Sequence, residues 1–366
     1  MRPTGWETSG VEQPLSLSGF EATALSQEKE YFCHREKFLN HLALGIQSMT
    51  EGHQVPQVLS LGELLVEIMR PSVDQPLDEP GQFVGPFPSG APAIFIDAVA
   101  RLGVSCGFIG AVGDDAFGKC VLRRLKNDGV DVRHVRVVSH RTTGIAFVSY
   151  RSDGSRQFLF HLPQSAASLL TREDVCEDYL RGVKAVHITG SALGIGEGVR
   201  SACYRAVRFC KQYGGMVSFD PNIRPEILGV EAVRNLCEPI LQACDVLLPS
   251  GQEATMLTGD ADEVTACRNL VARGIPVVVL KRGAKGCMVF TDQNEIEIPA
   301  YTVTEVDPTG AGDAFAGGFV VALLRGMSVV EAARFASAIG ALAVTKQGPM
   351  EGLPTLPEVE AFLSTT

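Results

Sequence analysis

The chain has 366 residues, 45% of them apolar, and a net charge of −10 at pH 7. That apolar share suffices for a large buried core. The acidic balance argues against a nucleic-acid or anionic-membrane partner, since either favours a basic face. A phosphate-bearing ligand stays admissible, because its site can be built from backbone N–H groups and a few local cations. The ten cysteines contain no Cys-x-x-Cys pair, so zinc spacing is missing and free, mostly buried thiols in a reducing cytosol are expected. No run is apolar enough to span a membrane. The first residues carry Glu7, Glu12, Glu21, Glu28, Glu30 and Glu36, unlike a signal or transit peptide. The expected location is the cytoplasm.

Residues 1–54 are polar and mixed, without a sustained period, and are expected to form a flexible appendage. Regular patterning begins near residue 55 and continues to about 360. Val58-Leu-Ser-Leu-Gly reads as a buried strand. Ala91 to Leu102 reads as a helix, with Ile94, Ala98, Val99 and Leu102 on one stripe. Val104 to Gly113 is strand-like, and Gly118 to Asp128 helical. Two alternating runs, 144–150 and 156–161, flank Ser152-Asp-Gly, a hairpin signal. The second half alternates more strictly: strand at 185–190, helix at 198–213, strand at 216–220, helix near 230–243, strand from Asp245, helix near 262–273, strand at 276–281. Continuous apolar strands separated by helices predict an α/β fold, a Rossmann-like, mostly parallel sheet flanked by helices. The early hairpins predict a small β lid, about 64–90 and 144–162. Ligands in such sheets bind past the carboxyl ends of strands, which draws attention to Gly190, Asp220, Pro249 and Lys281.

Asp307-Pro-Thr-Gly-Ala-Gly-Asp313 is the segment richest in chemistry. Small residues at 310–312 allow a tight turn with successive exposed N–H groups, and a helical run from Phe315 to Leu324 follows. Unpaired N–H groups and the macrodipole there favour an anion. Read alone, Asp313 is equally a first-turn acid worth ~0.3–1 kcal/mol to the helix or a general base beside an anion hole. The near-match to a P-loop at Gly113-Asp-Asp-Ala-Phe-Gly118-Lys119-Cys120 reads as a strand-to-helix turn. Its magnesium-holding hydroxyl is replaced by Cys120, and Asp114 and Asp115 put negative charge where phosphate would sit.

Together these segments resemble the ribokinase-like (PfkB) family of carbohydrate kinases from about residue 58 to 354. The last motif matches the family's C-terminal signature. Ser-Gly-Ala-Pro-Ala at 89–93, Gly-Asp-Asp-Ala-Phe-Gly at 113–118, Asp-Pro-Asn-Ile-Arg at 220–224 and Ser250-x-x-Glu253 follow in the family's order. The resemblance implies ATP and Mg2+ as cofactors and a small sugar as substrate. It makes Asp313 the base, with the backbone of Gly310, Ala311 and Gly312 as the anion hole. Asn222, Lys281, Gly283, Gly286 and Ser337 would border the nucleotide. Glu67, Gly90, Ala91 and Arg156 would face the sugar. Glu253 would help to order magnesium, and Asp307, Thr309, Ala343 and Gly348 match a monovalent-cation (K+) site of some relatives.

Departures affect the sugar. Ser89-Gly90 stands for the usual Gly-Gly, and Ile94 replaces an asparagine, so a polar contact to the sugar is expected to be lost. Glu67 stands where fructokinase-like members commonly have Asp. This combination is similar to a tagatose kinase-like subgroup, which points to a ketohexose such as tagatose. Fructose and 2-keto-3-deoxygluconate stay as alternatives, as do a nucleoside or sugar phosphate and a catalytically silent binding relative. A homodimer through exposed lid strands is a further expectation.

Overall fold

The computed structural model describes residues 55–223 and 229–365. The expected 1–54 appendage and Arg224 lie outside the described residues. In chain order the elements are β1 (Val58–Gly62), β2 (Leu65–Met69), β3 (Val84–Ser89), α1 (Ala91–Arg101), β4 (Cys106–Gly113), α2 (Ala116–Asn127), β5 (Asp131–Val138), β6 (Gly144–Tyr150) and β7 (Arg156–His161). Then come α3 (Glu177–Leu180), β8 (Ala185–Thr189), α4 (Gly190–Ile195), α5 (Glu197–Gln212), β9 (Met216–Asp220), α6 (Val230–Leu241), β10 (Val246–Leu247), α7 (Glu253–Thr258), α8 (Glu263–Ala272) and β11 (Val277–Lys281). β12 (Cys287–Phe290), β13 (Glu295–Ile298), α9 (Ala311–Leu324), α10 (Val329–Ala343) and α11 (Leu356–Leu363) complete the chain.

Nine strands form one sheet in the order β13-β12-β11-β10-β9-β8-β1-β4-β5. It is parallel from β11 to β5 and antiparallel at the β11-β12-β13 edge. β1, β4, β8, β9 and β11 are buried along their whole length, which requires cover on both faces. Alternation assigns the cover. Leu59, Leu61, Val186, Ile188, Val217 and Phe219 join the core that includes α5 residues such as Val199 and Cys203. Ser60, His187 and Ser218 pair in register on the opposite face. There the His187 ring stacks on Phe95 of α1 at 3.7 Å, and α9 packs against α1 and α10.

The second sheet, β3-β2-β6-β7, is the lid. Its pairing puts Glu67, Ala146 and Phe160 on one face. Phe147 and Leu159 are paired on the other, and Leu159 is 49% exposed. The segment 62–67 divides between the two sheets, Gly62 ending β1 and Glu67 lying in β2. Gly62 turns at φ 138° with Ala192 so close that a Cβ would come within 2.8 Å of it.

The expected α/β class with a β lid is the observed one, with shifted boundaries. α2 starts at Ala116 because Asp115 caps it, accepting from the Gly118 N–H at 2.8 Å. α9 starts at Ala311, four residues before the expected Phe315, because Gly310 adopts the left-handed conformation (φ 81°) that opens the helix. β5 escaped the sequence reading because its Asp131, Arg133, His134 and Arg136 mark an edge strand rather than a buried one.

Candidate active site

A cavity of about 200 Å3 opens at the carboxyl ends of β1, β8, β9 and β11, under the inward face of the lid. Of the sequence-derived candidates, Glu67, Gly90, Ala91, Arg156, Asn222, Glu253, Lys281, Thr309, Gly310, Gly312 and Asp313 all line it. These residues are up to 246 positions apart in sequence (67 to 313) and are gathered by the parallel topology.

The loop before α9 builds one wall. Gly310 cannot carry a side chain, since a Cβ would come within 2.5 Å of the Pro349 carbonyl. Ala311, Gly312 and Asp313 form the first turn of α9, where N–H groups have no helical carbonyl one turn back. Asp313 is buried (8% exposed) and accepts from Asn222 Nδ2 at 3.3 Å. Asn222 sits at φ 35°, a left-handed turn after β9.

Behind this turn lies a buried charged cluster. Lys281, the last residue of β11, donates to Asp220, the last of β9, in a short ion pair. A Cβ at Gly312 would be 3.3 Å from the Lys281 ammonium, so this cation sits directly behind the first turn of α9. Burial works against its charge, but the carboxylates of Asp220, Glu253 and Asp313 together hold its pKa above the ordinary lysine value. Lys281, expected to border the nucleotide, turns its side chain inward to Asp220. Glu253 accepts from Ser250 N at 2.6 Å and from Ile223 N at 2.8 Å. Burial, followed by the nearby Asp220 carboxylate, pushes its carboxyl up to about 7, against the pull of Lys281 and the two N–H groups.

Beside the Ser89-Gly90 turn the cavity is lined by two glutamates. Ser89 donates to Glu67 Oε1 at 2.6 Å, and Ser191 to Glu63 Oε1 at 2.6 Å. Ile94, Phe158 and Phe160 supply apolar walls, the two phenyl rings stacked at 5.3 Å. Glu63 and Ser191 were missed from sequence, although each stands just past the end of an apolar strand, the signal that singled out Asp220 and Lys281. Arg156 is exposed at the rim, 5.7 Å over the Phe158 ring.

The remaining candidates lie beside the cavity rather than in its lining. Gly283 and Gly286 flank the turn after β11, with φ 56° and 84°. Ser337 of α10 meets them through Cys287, at 3.8 Å from its sulfur. Asp307 accepts from Thr309 N at 3.0 Å and Gly348 N at 2.9 Å. Its own N–H reaches the carbonyl of Val344, next to Ala343, at 3.1 Å. The four cation-site candidates therefore lie together. The P-loop-like segment is a turn: Asp115 also accepts from Thr143 N at 2.7 Å and Thr143 Oγ1 at 2.8 Å, so its carboxylate fills the place of a phosphate.

A flexed first turn with a cation behind it, a buried carboxylate in front and a lidded polar cavity define an enzyme that moves an anionic group onto a small polar molecule. The chain belongs to the pfkB family carbohydrate kinases, whose family model matches residues 55–356; it is a sugar kinase of ribokinase-like fold. It is 35% identical over 316 residues to fructokinase-2 of Oryza sativa subsp. japonica, covering 84% of this chain and 94% of the relative. An E. coli protein provisionally called ribokinase II, solved with ATP and Mg2+, shares 41% identity at TM-score 0.80, over 85% of this chain and all of that one. A Xylella fastidiosa fructokinase with bound ATP gives 27% identity and TM-score 0.74, over 85% and 99%.

Proposed function

We propose that this protein transfers the γ-phosphoryl group of ATP to a hydroxyl of a ketohexose, with fructose ahead of tagatose. The fructokinase relatives support fructose, and tagatose rests on the sequence resemblance alone. Asp313 takes the proton of the attacking hydroxyl, and Asn222 Nδ2 orients its carboxylate. The N–H groups of the 310–312 turn, backed by the Lys281 ammonium, stabilise the charge that develops on the transferred group. The observation that carries this reading is the placement of the Lys281 ammonium behind Gly312, with Asp313 one residue on.

Among the described residues no three His, Cys, Asp or Glu side chains converge as a metal cage. Both Glu253 oxygens already accept backbone N–H groups. This suits Mg2+ carried by nucleotide oxygens and water, with Glu253 as an outer acceptor. Bound Mg2+ would supply neutralisation of phosphate charge. The Asp307, Thr309, Ala343 and Gly348 cluster suits a monovalent cation bound through carbonyls. Free thiols at the nine described cysteines agree with a reducing cytoplasm. The Phe147 and Leu159 pair on the outward face supports a homodimer through the lid. A coupled ADP-release assay over ketoses, aldoses, sugar acids and nucleosides tests the main reading. Folded protein that turns over none of them sinks it.

A further inference from the structure

Glu63 belongs to none of the candidate sets above, yet it is buried (3% exposed) at the cavity wall. It occupies the crossing from β1 of the main sheet to β2 of the lid. Ser191 donates to it at 2.6 Å and lies 3.0 Å from Thr189 Oγ1. A carboxylate cannot donate, so in the shorter of these two contacts the Ser191 proton points at Glu63. This contact holds one Glu63 oxygen. Glu63 also abuts the sugar-side turn: a Cβ at Gly90 would come within 2.4 Å of its carbonyl and 3.5 Å of its Cγ. Glu67, likewise buried (6% exposed), is fixed from the other side by Ser89.

Two acceptor-only groups therefore line the cavity beside the Ser89-Gly90 turn, each oriented by a serine. Hydroxyl groups satisfy such acceptors, whereas a second carboxylate or a phosphate on the acceptor sugar does not. The lining holds two cations, Lys281, which is paired with Asp220, and Arg156, which is exposed. Arg156 is poorly placed to neutralise a charge held against both glutamates.

We propose that Glu63, positioned by Ser191, is a second sugar-recognition residue, and that with Glu67 it restricts the acceptor to uncharged polyhydroxy sugars. This rests on the kinase reading above and separates its alternatives, since it rejects 2-keto-3-deoxygluconate and sugar phosphates. Binding by calorimetry and ADP release are measured on the full-length chain with fructose, tagatose, 2-keto-3-deoxygluconate and fructose 6-phosphate. The neutral ketoses should exceed both anions by about ten-fold or more in affinity and in kcat/KM. Glu63→Gln should raise the ketohexose KM about ten-fold with the KM for ATP unchanged, and should narrow the gap to the anions. Ser191→Ala, which leaves the charge in place, should give the same trend more weakly and guards against a folding defect in the first variant. Equal or better binding of either anion by the wild type overturns the proposal, as does a folded Glu63→Gln protein with unchanged sugar preference. Selective binding of neutral sugars without any ADP release would sink the kinase reading and leave this inference standing.

Discussion

The hydroxyl of Tyr150, at the end of lid strand β6, donates to Asp307 Oδ1 at 2.7 Å and lies 2.7 Å from Thr309 Oγ1. The lid is thereby fastened to the same loop that opens α9. Burial, with the Asp307 carboxylate adding to it, pushes the phenol well above its ordinary pKa, so it stays a donor across the working pH range. Tyr150→Phe removes this fastening and leaves the buried Asp307 carboxylate one donor short. The expected result is a loss of about 1 kcal/mol of stability and a several-fold rise in sugar KM, as the lid wall carrying Glu67 and Phe158 loses its anchor. Urea unfolding and steady-state kinetics on both substrates check this; unchanged kinetics would show that the lid is held by other contacts.

Asp313→Asn keeps the shape and the contact to Asn222 but removes the proposed base. Turnover should fall by about 10²–10⁴-fold, while nucleotide affinity, measured by titration calorimetry, stays within a few-fold of wild type. A variant with near-wild-type kcat would assign the base elsewhere.

Much of this site could be read from the residues because strand ends in a parallel sheet are where ligands bind, and the apolar runs mark those ends plainly. Asp220 and Lys281 were found that way, and the order of the motifs brought in Asp313 and Glu253. What could not be read was the direction of side chains. Lys281 precedes a glycine-rich turn, and its ammonium points inward because Asp220, two strands away across β10, offers a buried partner. The Ser191–Glu63 contact spans 128 positions, so no local pattern announces it. Tyr150 was visible only as one residue of an alternating strand; that it faces inward depends on register with β2 and β7, which the sequence does not state.

Lys281 and Asp220 form a pair whose separation leaves charge stranded in the interior. Lys281→Met removes the cation while Asp220, Glu253 and Asp313 remain. Destabilisation of about 3–5 kcal/mol is expected, along with a large fall in kcat as the first turn of α9 loses its cation. Asp220→Asn breaks the same pair from the other side but leaves Glu253 to accept charge from Lys281, so its cost should be smaller. Chemical denaturation of the two variants gives the ordering, and equal losses would argue against a shared cluster.

Glu253 makes stability depend on pH in a direction opposite to most acids. Its carboxyl rises from the ordinary 4.5 to about 7 in the folded protein, through burial first and Asp220 second, with Lys281 and the Ser250 and Ile223 N–H groups opposing. A raised pKa means that the folded state binds the proton more tightly than the unfolded chain does. The stability this group contributes is therefore fully present below about pH 4.5 and is lost as pH rises through 7. Glu253→Gln carries no ionisable group. The stability of wild type minus that of the variant, measured by urea unfolding without added metal, should decline by on the order of 1–3 kcal/mol between pH 4.5 and 7.5. Above pH 7.5 it should level off. A difference that grew with pH over the same window would mean that Lys281 and the two N–H groups outweigh burial, and that Glu253 is an ordinary ionised partner of the cluster.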